Sequence, residues 1–236
     1  MTFLETIQID FIDILPFYNR PFRSKFIPAK VWLDLDNYKN NPIKLMQYCR
    51  KWRTKIEWKQ SFSKSRNSKN IDSPLYIGGE YISENRQCII QIYTQQFELS
   101  KFTTKSWDKF KFRLIQTIMH EFVHFMQYDR RNDEPSNYVV SYKKIGEAKV
   151  DSERSYLSEF DEIQAYAHCS YLDLKTKKPN VSLDFLLNNC KTRKDSSTLH
   201  YFLKTFDYDF KNNMATKKII SQIGKWDRKY NKALGR

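Results

Sequence analysis

Histidine is scarce in this chain, with 4 residues in 236. Two of them at metal-ligand spacing would therefore stand out. Cysteine is as rare, and Cys49, Cys88, Cys169 and Cys190 lie far apart, without the close pairing that zinc ribbons and redox dithiols require. Free, mostly buried thiols in a reducing compartment are the expectation. No run of about 18 apolar residues occurs, which argues against a helical bilayer span and against a membrane partner. The first ten residues, Met1 to Asp10, carry acids where a secretory signal would carry Lys or Arg, so no such signal is expected and a cytoplasmic location is predicted. Acids are also in short supply overall: 27 Asp and Glu against 41 Lys and Arg leave a net charge of +14, enough to attract polyanions.

What is present is a globular composition, 40% hydrophobic and 16% aromatic, in a chain long enough to bury a core without staples. The basic excess is concentrated. Between Arg50 and Lys69 eight basic residues face one acid, with Trp52, Trp58 and Phe62 interleaved, and Lys211 to Arg236 repeats the ratio. Segments 50–69 and 211–236 are thus candidates for nucleic-acid binding. Solvated helix faces account for the same charges equally well.

Alternation of Phe3, Ile7, Ile9, Phe11 and Leu15 predicts an N-terminal strand closed by Pro16. Pro42 suits a first helical residue, and Ile43, Met46, Cys49 or Arg50 and Ile56 follow at helical spacing, so one helix is expected to carry the first basic cluster. Ser61 to Ser73 reads as a linker. Leu75 to Ile82 and Cys88 to Phe97 are β-rich runs separated by Ser83-Glu84-Asn85-Arg86, a hairpin signature in which Cys88, Ile90 and Ile92 share one face. A helix capped by Ser106 should run to about Gln127 on the rhythm of Trp107, Phe110, Leu114, Ile118, Phe122 and Phe125. A second is expected from Ser158 to about Tyr171, with Phe160, Ile163 and Ala167 inward, and further helices over Leu183–Leu187, Leu199–Phe206 and Ile219–Leu234. The fold class is α+β. Its predicted segments are 1–74 (strand, basic helix and linker), 75–175 (a core bearing any chemistry) and 176–236 (a basic helical region), packed as one domain.

The chemistry lies in His120-Glu121-Phe122-Val123-His124. Residues four apart on a helix are separated by about 40° of rotation and about 6 Å of rise, so both imidazoles can reach one ion. Glu121, beside the first histidine, can reach a water at that ion without ligating it. An ordinary polar stripe would need the two histidines to bracket a glutamate by accident, at odds on the order of one in a few hundred. Catalytic zinc takes three protein ligands and keeps one position open. The acidic segment Ser158-Glu159-Phe160-Asp161-Glu162 is the best source of the third, through Glu162 or, failing that, Glu159.

His120-Glu121-x-x-His124 followed by a helix reading Glu162-x-x-Ala165 resembles the gluzincin branch of the zincin metallopeptidases. The resemblance covers about Leu75 to Tyr171. It implies a zincin-like fold, a Zn2+ ion held by His120, His124 and Glu162, Glu121 as general base, and a protein or peptide substrate. It also implies an edge strand ahead of the metal helix, a place that Cys88 to Phe97 takes in the sequence. The chain departs from many gluzincins in having Tyr166 where an aspartate would stand. SprT-like proteases, which act on DNA-attached proteins, suit the charge, but Phe125-Met-Gln-Tyr-Asp-Arg130 lacks their usual further histidine; ImmA-like peptidases share the later glutamate–alanine helix. Tyr166, Tyr138, Tyr142, His168 and His200 are candidate oxyanion donors. His168, about 240° round the helix from Glu162, reads as structural. A non-catalytic nucleic-acid-binding protein and a degenerate zincin used as an interaction module are the competing classes.

Overall fold

The computed structural model of the protein describes residues 35–39, 41–50, 54–59, 76–93, 102–132, 134, 136–178, 181–189 and 196–233. The N-terminal strand expected over Phe3 to Leu15 and the linker Ser61 to Ser73 lie outside them, as does the end of the second β-rich run. The described part is mixed α+β. Its elements are α1 (Pro42–Arg50), β1 (Thr54–Lys59), β2 (Tyr76–Ile82), β3 (Gln87–Tyr93), α2 (Thr104–Arg130), α3 (Ala148–Leu157), α4 (Phe160–Lys177), α5 (Leu183–Asn189), α6 (Ser197–Thr205) and α7 (Met214–Ala233). No described helix is long and apolar enough to cross a membrane.

The chain divides into two compact units, Ala29–Phe125 and one whose described part lies within Met126–Arg236. In the first, α1 starts at Pro42 as the sequence predicts, because proline presets φ and has no N–H to leave unsatisfied; Asn41 Oδ1 accepts from Lys44 N at 3.0 Å. The helix stops at Arg50. Ile56 belongs to β1, and Lys55 and Lys59 of the basic cluster are strand residues. Ile56 fits a helical spacing from Cys49 and equally the alternation Thr54, Ile56, Trp58, and the alternation prevails because Thr54 and Ile56 bury against the sheet. Trp58 Nε1 points back to Met46 Sδ at 3.1 Å, fastening β1 to α1.

β2 and β3 form the expected antiparallel hairpin across Ser83 to Arg86, with Arg86 at φ 51° and its N–H donating to Ser83 O at 3.2 Å. Cys88, Ile90 and Ile92 are buried, as the alternation required. β3 is not an edge strand. It pairs with β1 in parallel, Ile56 opposite Ile90, so the order is β1-β3-β2 and the described edges are β1 and β2. Because Ile56 reads as helical in the sequence, this parallel pairing is not among the sequence expectations.

α2 starts three residues earlier than Ser106 as cap predicts, because Thr103 is the better cap: its Oγ1 accepts from Ser106 N at 3.2 Å. Trp107, Phe110 and Leu114 are buried along α2. Lys111, 1% exposed, is paired with Asp36 at 2.5 Å and Asp108 at 3.2 Å, while Trp107 Nε1 donates to the same Asp36 oxygen at 3.1 Å. A buried ammonium is tolerable only with such partners.

In the unit that includes Met126–Arg236, α4 packs against α6 and α7. Ile163, Ala167, Tyr171, Phe202, Ile219 and Ile223 form its core. α3 has no counterpart in the expected elements. It carries Arg154, 1% exposed, whose guanidinium donates to Thr205 O at 2.7 Å, Lys143 O at 2.9 Å and Asp207 Oδ2 at 2.5 Å.

Candidate metal centre

His120 and His124 project from consecutive turns of α2, where helix geometry dictates they should meet. Their Nε2 atoms are 3.2 Å apart and their rings cross at 73°. Two nitrogens each at zinc-ligand distance in a tetrahedral site would be separated by about 3.3 Å. Glu162, in the first turn of α4, supplies the third group: one atom from each of His120, His124 and Glu162 falls within 4.8 Å of the others. His124 and Glu162 are buried, and His120 is half-buried.

Glu159 and Glu162 differ in their places on α4. Glu159 is its exposed N-cap residue, with extended backbone, occupied in an antiparallel bridge to Val139. Glu162 lies one turn inside the helix. The last turn of α2 is tied to that same turn of α4. Gln127 Nε2 donates to Asp161 O at 3.0 Å and to Gln164 Oε1 at 2.9 Å, and Arg131 forks onto Asp161 at 3.0 and 2.5 Å.

Glu121 is 4% exposed and stands outside the three-ligand cluster. Its carboxylate lies against Gly79 of β2, where a Cβ would meet Glu121 Cδ and Cγ at 2.8 Å. It also adds to the burial that pushes the Cys88 thiol up to about 12, which sets the carboxylate close beneath the hairpin. Gly79 is a neighbour of Glu121 that pattern reading missed. The available signal was the Gly78-Gly79 pair inside a strand, where glycine marks the close approach of another group.

The candidate oxyanion donors have other neighbours. His168 is fully buried, with Nε2 2.8 Å from Tyr230 Oη and its ring 4.4 Å from that of Trp226, the structural role expected of it. Tyr166 lies on the rings of Tyr201 and Phe202, Tyr138 on Phe160, Tyr142 on Phe206, and His200 bonds Tyr208. Of the two basic segments, most of 50–69 lies outside the described residues. In 211–236, α7 buries Ala215, Ile219, Ile223 and Tyr230 and leaves Lys217, Lys225 and Arg228 exposed, the arrangement of an amphipathic helix with a solvated basic face.

Two imidazoles and a carboxylate suit a first-row transition-metal ion better than magnesium or calcium. No protein-family model, curated protein or solved structure matches the chain.

Proposed function

We propose that the protein is a zinc-dependent hydrolase acting on peptide bonds, with a zincin-like arrangement of its catalytic elements. The observation that carries the reading is the convergence of His120, His124 and Glu162, from two helices, within 4.8 Å. In this reading those three side chains hold the metal and Glu121 is the general base. Bound zinc supplies Lewis acidity, lowering the pKa of water towards neutrality and polarising a carbonyl. Glu121 takes the proton of the attacking water on its carboxylate and delivers it to the departing amine. Its burial shields that carboxylate from bulk solvent, and its place one residue from His120 keeps it near the reacting atoms without making it a ligand. β2, a described sheet edge beside Glu121, supports a substrate backbone in extended form.

The test is metal content together with proteolysis of an unfolded protein substrate. Wild type is expected to carry about one zinc per chain. H124A and E162Q should lose it, and E159Q should keep it. E121Q should retain zinc and lose turnover by roughly 10²- to 10⁴-fold. Zinc retained with undiminished turnover in E121Q removes Glu121 from its role; zinc-independent turnover removes the whole reading.

A further inference from the structure

His120, His124 and Gln127 recur at intervals of four and three residues on α2, which ends at Arg130. At about 100° per residue they fall within a stripe of about 60°. The two histidines and Gln127 therefore lie along one line of the same helix, and Arg131 follows in the turn that ends it. Opposite Gln127 and Arg131 is the first turn of α4, where both side chains reach residues near Glu162. Both hydrogens of the Gln127 carboxamide are used, one on the Asp161 carbonyl at 3.0 Å and one on Gln164 Oε1 at 2.9 Å. Arg131 engages both Asp161 oxygens, while its Nε donates to Glu134 O at 2.8 Å and its guanidinium lies 5.3 Å from the centre of the Tyr128 ring. Asp161 and Glu162 are adjacent carboxylates, both buried, that differ in partner. The guanidinium engages the first, and one oxygen of the second lies within 4.8 Å of a nitrogen of each imidazole.

We propose that Gln127, Arg131 and Asp161 are positioning residues that hold the first turn of α4 so that Glu162, and not Asp161, completes the metal site. The inference rests on the reading of His120, His124 and Glu162 as ligands. The start of α4 is also tied by its backbone, Phe160 N donating to Tyr138 O at 3.0 Å. A bidentate arginine–carboxylate pair fixes direction as well as distance, which a single hydrogen bond does not. Outer partners of metal ligands typically govern affinity by roughly 10- to 100-fold.

The experiment measures zinc dissociation constants by chelator competition for wild type, E162Q, Q127A, R131A, D161N and the double variant R131A/D161N. Alongside these it records the melting temperature of the zinc-free protein and the visible absorption of the cobalt(II)-loaded forms. Q127A, R131A and D161N are expected to bind zinc roughly 10- to 100-fold more weakly. R131A/D161N should be no weaker than the worse single variant, since both remove one contact. The cobalt spectra of R131A and Q127A should move towards that of E162Q, and R131K, which keeps the charge on one donor group, should recover part of the affinity. Should R131A fail to fold, R131K and Q127A carry the test. Two outcomes are decisive against it. If E162Q loses zinc while Q127A, R131A and R131K bind as wild type and merely melt earlier without metal, the clamp is overturned and the ligand assignment survives. If wild type binds no zinc, both fall together.

Discussion

Gly79 and Glu121 share a space that admits only one side chain. The Glu121 carboxylate occupies the volume that a Cβ at position 79 would take, with Cδ and Cγ 2.8 Å from that point.

G79A should therefore displace Glu121 and leave the fold standing, because the group that must move is a flexible side chain and not backbone. A displacement of about 1 Å at a catalytic group costs on the order of 100-fold in rate. Steady-state kinetics should show kcat falling by about that factor, with zinc content and melting temperature close to wild type. Undiminished kcat would mean that Glu121 works from another position than the one it occupies beneath β2.

Burial pushes both the Cys49 and Cys88 thiols from 9.0 up to about 12. A thiol whose folded pKa is raised favours the fold while protonated, so its contribution is complete below pH 9.0 and is lost between there and about 12. Stability should fall with rising pH in that window, by at most about 1.4 kcal/mol per pH unit for each thiol. Denaturant midpoints from pH 8 to 10.5 check the slope. Mass spectrometry after iodoacetamide at pH 8 should find both cysteines unmodified until urea is added.

Arg154→Ala should be among the most damaging single substitutions in the helical unit. It strips the donor from the carbonyls of Thr205 and Lys143, each hydrogen bond to the charged guanidinium weighing about 1.5–3 kcal/mol. Asp207, the third partner, has a side chain 68% exposed and rehydrates with little loss. Equilibrium urea unfolding measures the sum; R154K, reaching only one acceptor, should fall between the two.

Elements with long, unambiguous periods were legible before any coordinates. α2 repeats its apolar residues from Trp107 to Phe125, over about five turns, and the hairpin announces itself through Ser83-Glu84-Asn85-Arg86. The metal residues were legible for the same reason, since His120 and His124 need only local helix geometry to converge. α3 was not, because its buried face is carried by Arg154 as well as Leu157 and leaves no apolar rhythm to follow. β1 was hidden by Ile56, which satisfies either period. Glu159 and Glu162 could not be separated by spacing, because what distinguishes them is tertiary: Glu159 is exposed and bridged to Val139, while Glu162 is buried within 4.8 Å of His120 and His124. Gly79 escaped because close approach across a strand is a tertiary fact.

The mixed sheet imposes an order of assembly. β2 and β3 find each other through a four-residue turn, whereas the parallel pairing of Ile56 with Ile90 must close a much longer stretch of chain. Loop-closure entropy opposes that step from the start, so the hairpin should nucleate and β1 should dock late. Lengthening the chain between Lys59 and Tyr76 would then slow folding while scarcely touching the final stability, each doubling of the loop weighing only about 0.6 kcal/mol.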